Sequence, residues 1–92
     1  MKLTPAYLSS NYENITEQKS IDLHNRNISH IEDISFCVNL RKLDLSNNCL
    51  RSGESLSGLK YCKSLTWLNL SYNKLESFDF ICELENLTGT TQ

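Results

Sequence analysis

Leu40-Arg41-Lys42-Leu43-Asp44-Leu45-Ser46-Asn47-Asn48-Cys49-Leu50 decides the fold, because its order of apolar and polar residues recurs along the chain. Leu65-Thr66-Trp67-Leu68-Asn69-Leu70-Ser71-Tyr72-Asn73-Lys74-Leu75 matches it at every apolar position and at the second asparagine. Gln18-Lys19-Ser20-Ile21-Asp22-Leu23-His24-Asn25-Arg26-Asn27-Ile28 is a weaker first copy that lacks the first leucine and that asparagine. The shared pattern is L-x-x-L-x-L-x-x-N-x-L. Its starts at residues 18, 40 and 65 fall 22 and then 25 residues apart. A period of this length marks a repeat architecture, in which each unit buries its apolar side against its neighbours.

Each part of the unit has a physical reading. Leu43 and Leu45 are two residues apart, so in a strand both point to one, buried side while Lys42, Asp44 and Ser46 point to the other. Asn48 and Asn73 fall where the chain leaves the strand and turns. A side-chain amide there has two donors and an acceptor for the backbone groups that the turn frees. Beyond the turn, every third residue is apolar: Ile28, Ile31, Ile34, Cys37 and Leu40, then Leu56, Leu59, Cys62 and Leu65, then Leu75, Phe78, Ile81, Leu84 and Leu87. That step suits short 3₁₀-like turns, whose i and i+3 side chains face one way. The middle unit carries three extra residues around 51–55, Gly53 among them.

These motifs resemble the short, 22-residue-repeat class of intracellular leucine-rich repeat proteins, the class of a protein phosphatase-1 regulatory subunit and many ciliary proteins. The resemblance covers roughly residues 19–87. It implies an α/β leucine-rich repeat solenoid with short parallel strands on the concave face, 3₁₀ or helical returns, and an N-terminal helical cap. The expected organisation is a cap over residues 1–18 and repeats over 19–92, about three with a truncated fourth. Met1-Lys2-Leu3-Thr4, with Ile21-Asp22-Leu23 and Ile31-Glu32-Asp33-Ile34, is also similar to two narrower groups. One is the A-prime protein of a spliceosomal ribonucleoprotein; the other is a set of small cilium- and centrosome-associated repeat proteins.

A solenoid needs its ends covered. Thr4-Pro5 is a good helix start, with Thr4 as cap and Pro5 at the first helical position. Tyr7, Leu8, Tyr12 and Ile15 are placed to cover the first repeat. At the other end Leu87 begins a fourth repeat, but Gly89, Thr90, Thr91 and Gln92 stand where a strand is due, with Thr90 at the second leucine position. The expectation is a fragment or truncated isoform, or else a partner that covers this end, so association through the uncapped end is the oligomeric contact the sequence suggests.

Composition narrows the function. The 92 residues suffice for one domain, with 22% charged residues and a net charge of −2. Lys and Arg are scattered, which gives no footprint for direct nucleic-acid or anionic-membrane binding. No run approaches the ~20 apolar residues of a membrane helix. The N-terminus turns polar too early for a secretory signal, which points to the cytosol or nucleus, with cilium and cytoskeleton within that range. Asn14, Asn27, Asn69 and Asn86 head Asn-X-Ser/Thr triplets, which a unit rich in Asn and Ser generates without glycosylation. Cys37, Cys49, Cys62 and Cys82 form no C-x-x-C pair and have no His at zinc-finger spacing, so no metal and no other cofactor is expected. Cys37 and Cys62 hold equivalent apolar positions and read as core; Cys49 and Cys82 do not.

Aligned strands lie about 4.8 Å apart, so equivalent residues form columns on the concave face. Ser20, Lys42 and Trp67 make one column; Asp22, Asp44 and Asn69 the next; His24, Ser46 and Ser71 a third; Asn25, Asn47 and Tyr72 lie at the strand exits. Trp67 is aimed away from the core, as a hot spot for a partner or as a ring lying over Lys42. Asp22 beside Asp44 is a carboxylate pair on an open face with no nucleophile or phosphate loop nearby, which argues for a solvated surface and against an enzyme. The function expected is a non-catalytic protein–protein interaction module. Its contact set is Trp67 with Lys42, Asp44, Asn69, Tyr72, Asp22 and His24. The alternative is a bridging component of a ribonucleoprotein or a ciliary or centrosomal scaffold.

Overall fold

Strands form where the alternation requires them. The computed structural model of the protein describes residues 1–77, 79, 80, 84, 87 and 89–91. Among these lie β1 (Lys2–Leu3), β2 (Ser20–Asp22), β3 (His30–Ile31), β4 (Lys42–Asp44), β5 (Trp67–Asn69) and β6 (Gly89–Thr91). The order β2-β4-β5-β6 makes one sheet, parallel throughout, and its register places Ser20 beside Lys42, Lys42 beside Trp67 and Trp67 beside Gly89. Ile21, Leu43 and Leu68 point inward together with Leu23, Leu45 and Leu70, and all six are buried. Full burial of such a side chain is worth about 1.5–3 kcal/mol relative to leaving it in water.

Behind the strands the apolar residues at every third position are linked by i+3 hydrogen bonds. Cys37 N donates to Ile34 O and Leu40 N to Cys37 O; one repeat later, Cys62 N donates to Leu59 O and Leu65 N to Cys62 O. Each bond closes one tight turn and brings the next apolar side chain onto the same side. The middle return is a 3₁₀ helix over Glu54–Leu59, as the spacing predicts. The first return differs: it is β3 followed by two separate turns. The reason is a partner the spacing does not show, because β1 pairs in parallel with β3 and holds the chain extended there. Phe78, Ile81 and Cys82 lie outside the described residues.

Thr4 Oγ1 accepts from Tyr7 N at 3.0 Å and Pro5 opens α1 (Pro5–Asn11), whose Leu8 is buried in the common apolar core. Tyr12 ends α1, and its hydroxyl donates to Asp22 O at 3.2 Å along the outer edge of β2.

Gly89, Thr90, Thr91 and Gln92 are expected to stand in place of a strand, and for the first three that expectation is overturned. Gly89–Thr91 is β6, paired with β5, and Gly89 N donates to Thr66 O at 2.9 Å. Parallel pairing is made by backbone groups, so losing a leucine does not forbid it. Gly89 is itself needed, since a Cβ there would sit 2.8 Å from Trp67 Cδ1.

Consecutive repeats are tied together by the asparagine amides. Asn48, only 7% exposed, donates through Nδ2 to Leu23 O in the previous repeat at 3.0 Å and to Leu45 O in its own at 2.9 Å. Its Oδ1 accepts from Arg26 N and Ile28 N, both at 3.0 Å. Asn73 repeats the arrangement one unit on, donating to Leu45 O and Leu70 O and accepting from Leu50 N. Arg26 takes this position in the first copy. Since β2 is the edge of its sheet, there is no earlier strand for an amide to bridge, and the consensus is free to lapse.

Close packing of the 3₁₀ helix on β3 rests on Gly58. A Cβ there would lie 2.0 Å from Glu32 O and 2.5 Å from Ile31 O, both fixed backbone atoms. Gly58→Ala is expected to lower unfolding free energy in urea by about 3 kcal/mol or more, at the upper end for overpacking. Gly53→Ala, whose Cβ meets only the Phe80 side chain at 3.1 Å, serves as the mild control. A second expectation concerns the ladder. Asn48→Asp puts a carboxylate against carbonyl oxygens and is expected to cost more in the same measurement than Asn73→Asp, whose site is less buried.

Candidate functional site

The outward side of the sheet carries the candidate residues, and the register decides which of them meet. Lys42 is exposed and directly beside Trp67, which is half-buried with its indole edge against Gly89. The ring is packed toward Gly89 of β6, where the sequence reading has Lys42 as its neighbour within the sheet. The cation–ring contacts among the described residues are those of Lys60 and Lys63 with Tyr61, at 5.7 and 5.6 Å from the ring centre. A half-exposed indole of this kind still offers a large rigid surface and a donor.

Asp22, Asp44 and Asn69 stand in one row, as equivalent positions must, and the structure gives them a shared local task. Asp22 Oδ1 accepts from His24 N at 3.1 Å, Asp44 Oδ1 from Ser46 N at 2.9 Å, and Asn69 Oδ1 from Ser71 N at 3.0 Å. These are Asx-turns that satisfy the backbone as each strand ends. Asp or Asn serves equally well, since only an acceptor oxygen is needed. The signal was present in the sequence as Asp or Asn two residues before His or Ser, and the contact reading passed over it.

His24 reaches back over the same turn, with Nδ1 2.6 Å from Asp22 Oδ1. The hydrogen bond from the His24 ring, with the backbone bond beside it, holds the Asp22 carboxyl below its ordinary range. A lowered carboxylate pKa stabilises the fold above the unfolded value, and the contribution is lost as pH falls through the folded value. Both side chains are more than half exposed, so solvent makes this a small effect.

Tyr72 is the outlier of the set. It is 85% exposed and has φ 59°, in the left-handed region. The equivalent positions in the two earlier repeats are Asn25 and Asn47, at φ 56° and 57°. Asparagine visits this region readily; a bulky side chain does so at a cost. The turn geometry is thus imposed by the repeat, and the third copy places an exposed aromatic on it.

Sequence reasoning missed a juxtaposition. Lys19 and Arg41 hold equivalent places just before their strands, for Arg41 N and Lys42 N both donate to Lys19 O while Thr66 N and Trp67 N both donate to Arg41 O. Cations 22 residues apart in the chain become neighbours across the sheet.

Two other features complete the chemistry. Cys37 and Cys62 are buried, and burial pushes both thiols up, that of Cys62 to about 12, which keeps it protonated and unreactive. Cys49 is exposed. Among the described residues no group of three or more His, Cys, Asp or Glu is placed to hold a metal ion, and no helix is long and apolar enough to cross a membrane.

If the turn geometry at residue 72 is imposed, Tyr72→Asn is expected to raise stability by about 1 kcal/mol. A thermal melt of the variant checks this; a lower melting temperature would show that the tyrosine ring contributes packing that the exposed position does not suggest.

A family model for the leucine rich repeat matches residues 18–75, and a second leucine rich repeat model matches residues 64–87. No solved structure matches the chain.

Proposed function

The chain belongs to the leucine-rich repeat family, and from that membership we propose that it is a binding module whose outward strand face is the contact surface for a partner protein. Repeats of this family generally mediate protein–protein interaction and are typically non-catalytic. In this reading the coils form a short solenoid of the 22-residue class, the sheet is its concave side, and residues 1–18 cap the first repeat. Trp67 anchors the contact, Lys42 and Tyr72 flank it, and Asp22, Asp44, Asn69 and His24 shape the strand exits beside it.

The observation that carries the proposal is Tyr72. The other two repeats fill its left-handed position with asparagine, so the aromatic costs stability where it stands and gains no burial in return. Strain retained on an exposed side chain points to use of that side chain. Trp67 lies in the same repeat, and Trp and Tyr are enriched among the few residues that dominate interface energy.

Affinity purification from cell extract tests the proposal. The double variant Lys42→Glu/Tyr72→Asn changes two exposed strand-face residues. The variant Val38→Ser/Tyr61→Ser changes two exposed residues on the return side. Proteins retained by the wild type and by the return-side variant, but lost from a strand-face variant that melts no lower than the wild type, are the expected result. Retention of every protein by the strand-face variant would refute the assignment.

A further inference from the structure

We propose that the start of the strand face, where Lys19 and Arg41 lie side by side and Lys42 neighbours Trp67, receives an acidic segment of a partner protein with an apolar residue seated against the indole; this rests on the strand-face reading and specifies the partner's chemistry. The chain as a whole is mildly acidic, at −2, yet these three cations are gathered at one end of adjacent strands. Lys19 and Arg41 occupy equivalent positions, so their backbones are about 4.8 Å apart. Lys42 follows directly and neighbours Trp67 across the register. All three are exposed. None of the three cations forms an ion pair with another described residue. Glu17 and Asp44, each two residues from one of these cations, make no ion pair with them.

The carboxylates of the same face are held at the opposite end. Asp22 and Asp44 close their strands and accept from the backbone of His24 and Ser46 beyond. The face is therefore polarised along the strands, positive where they begin and negative where they end. Like charges stacked at this spacing repel, and an anionic segment laid across the strand starts relieves that repulsion. A chain crossing the sheet there passes Lys19, Arg41 and Lys42 and comes next to Trp67, the chain's single tryptophan. A nucleic acid fits less well, for three cations neutralise few phosphates and Asp22 and Asp44 oppose a polyanion that spreads across the face.

The test uses the intact chain and a displayed library of random linear peptides lacking tryptophan. Enriched peptides are synthesised and titrated, with anisotropy of a dye on the peptide and emission of Trp67 as two readouts. The expected peptides are rich in Asp and Glu with an aliphatic or aromatic residue. They should change Trp67 emission, lose affinity about tenfold or more on Arg41→Glu/Lys42→Glu, and weaken as salt rises from about 0.1 to about 1 M. Lys60→Glu/Lys63→Glu, on the return side, should leave them within about twofold. Neutral or basic peptides, no enrichment, or indifference to the Arg41/Lys42 variant would overturn the proposal. So would tighter, Arg41/Lys42-dependent binding of a random single-stranded RNA pool. Neutral peptides abolished by Trp67→Ser would remove the acidic partner and keep the strand-face reading. Acidic peptides lost only from the Lys60/Lys63 variant would remove both.

Discussion

The rest of the structure depends on how the chain leaves each strand without stranding its backbone. A turn at the edge of an apolar core frees N–H and C=O groups that water cannot reach, and each one left unpaired costs about 1–3 kcal/mol. Asn48 answers this with a single amide that touches both its own repeat and the one before, bonding Leu23 O, Leu45 O, Arg26 N and Ile28 N. Asn73 does the same one unit later. Because the amide spans two units, it fixes how far apart they stand and in which register. The leucines beneath then stack, and the side chains above fall into columns. The geometry of the candidate site follows from these asparagines without any contact between them and a partner.

The same constraint separates what each position is for. The inward positions of the three repeats are apolar, and Asp22, Asp44 and Asn69 are held by backbone bonds at the strand ends. What remains free to vary is the outward position at each strand start and the residue at each exit. Those are the places where Lys42, Trp67 and Tyr72 stand. Variation among otherwise equivalent positions is where a repeat protein carries specificity, and in this chain the third repeat holds both large aromatics.

The inward pattern was readable from residues alone, because period two and period three each have one geometric solution. Leu43 and Leu45 could share a buried face only in a strand, and Cys37 could take an apolar position only in the core. Other features were hidden for stated reasons. β1 was not visible because two residues carry no period, and its pairing with β3 turned the first return away from a 3₁₀ helix. β6 is not legible because it lacks the leucine that marks the other strands, whereas the ladder needs only backbone and Gly89 gives room to Trp67. Lys19 and Arg41 look scattered in the sequence because 22 residues of chain separate neighbours one repeat apart. The Asx-turns are hidden because the column that sets Asp22 beside Asp44 says nothing of the backbone N–H two residues on that each carboxylate accepts from.

The central claim is that the strand face, and not the return side, meets the partner. A photoreactive phenylalanine analogue placed at either of two exposed tyrosines tests it most directly. Tyr72 lies at the strand exit and is 85% exposed; Tyr61 lies on the return side and is 57% exposed, so both tolerate the change. The account predicts that light yields protein adducts from position 72 in cells and none from position 61. Adducts from position 61 alone would contradict it.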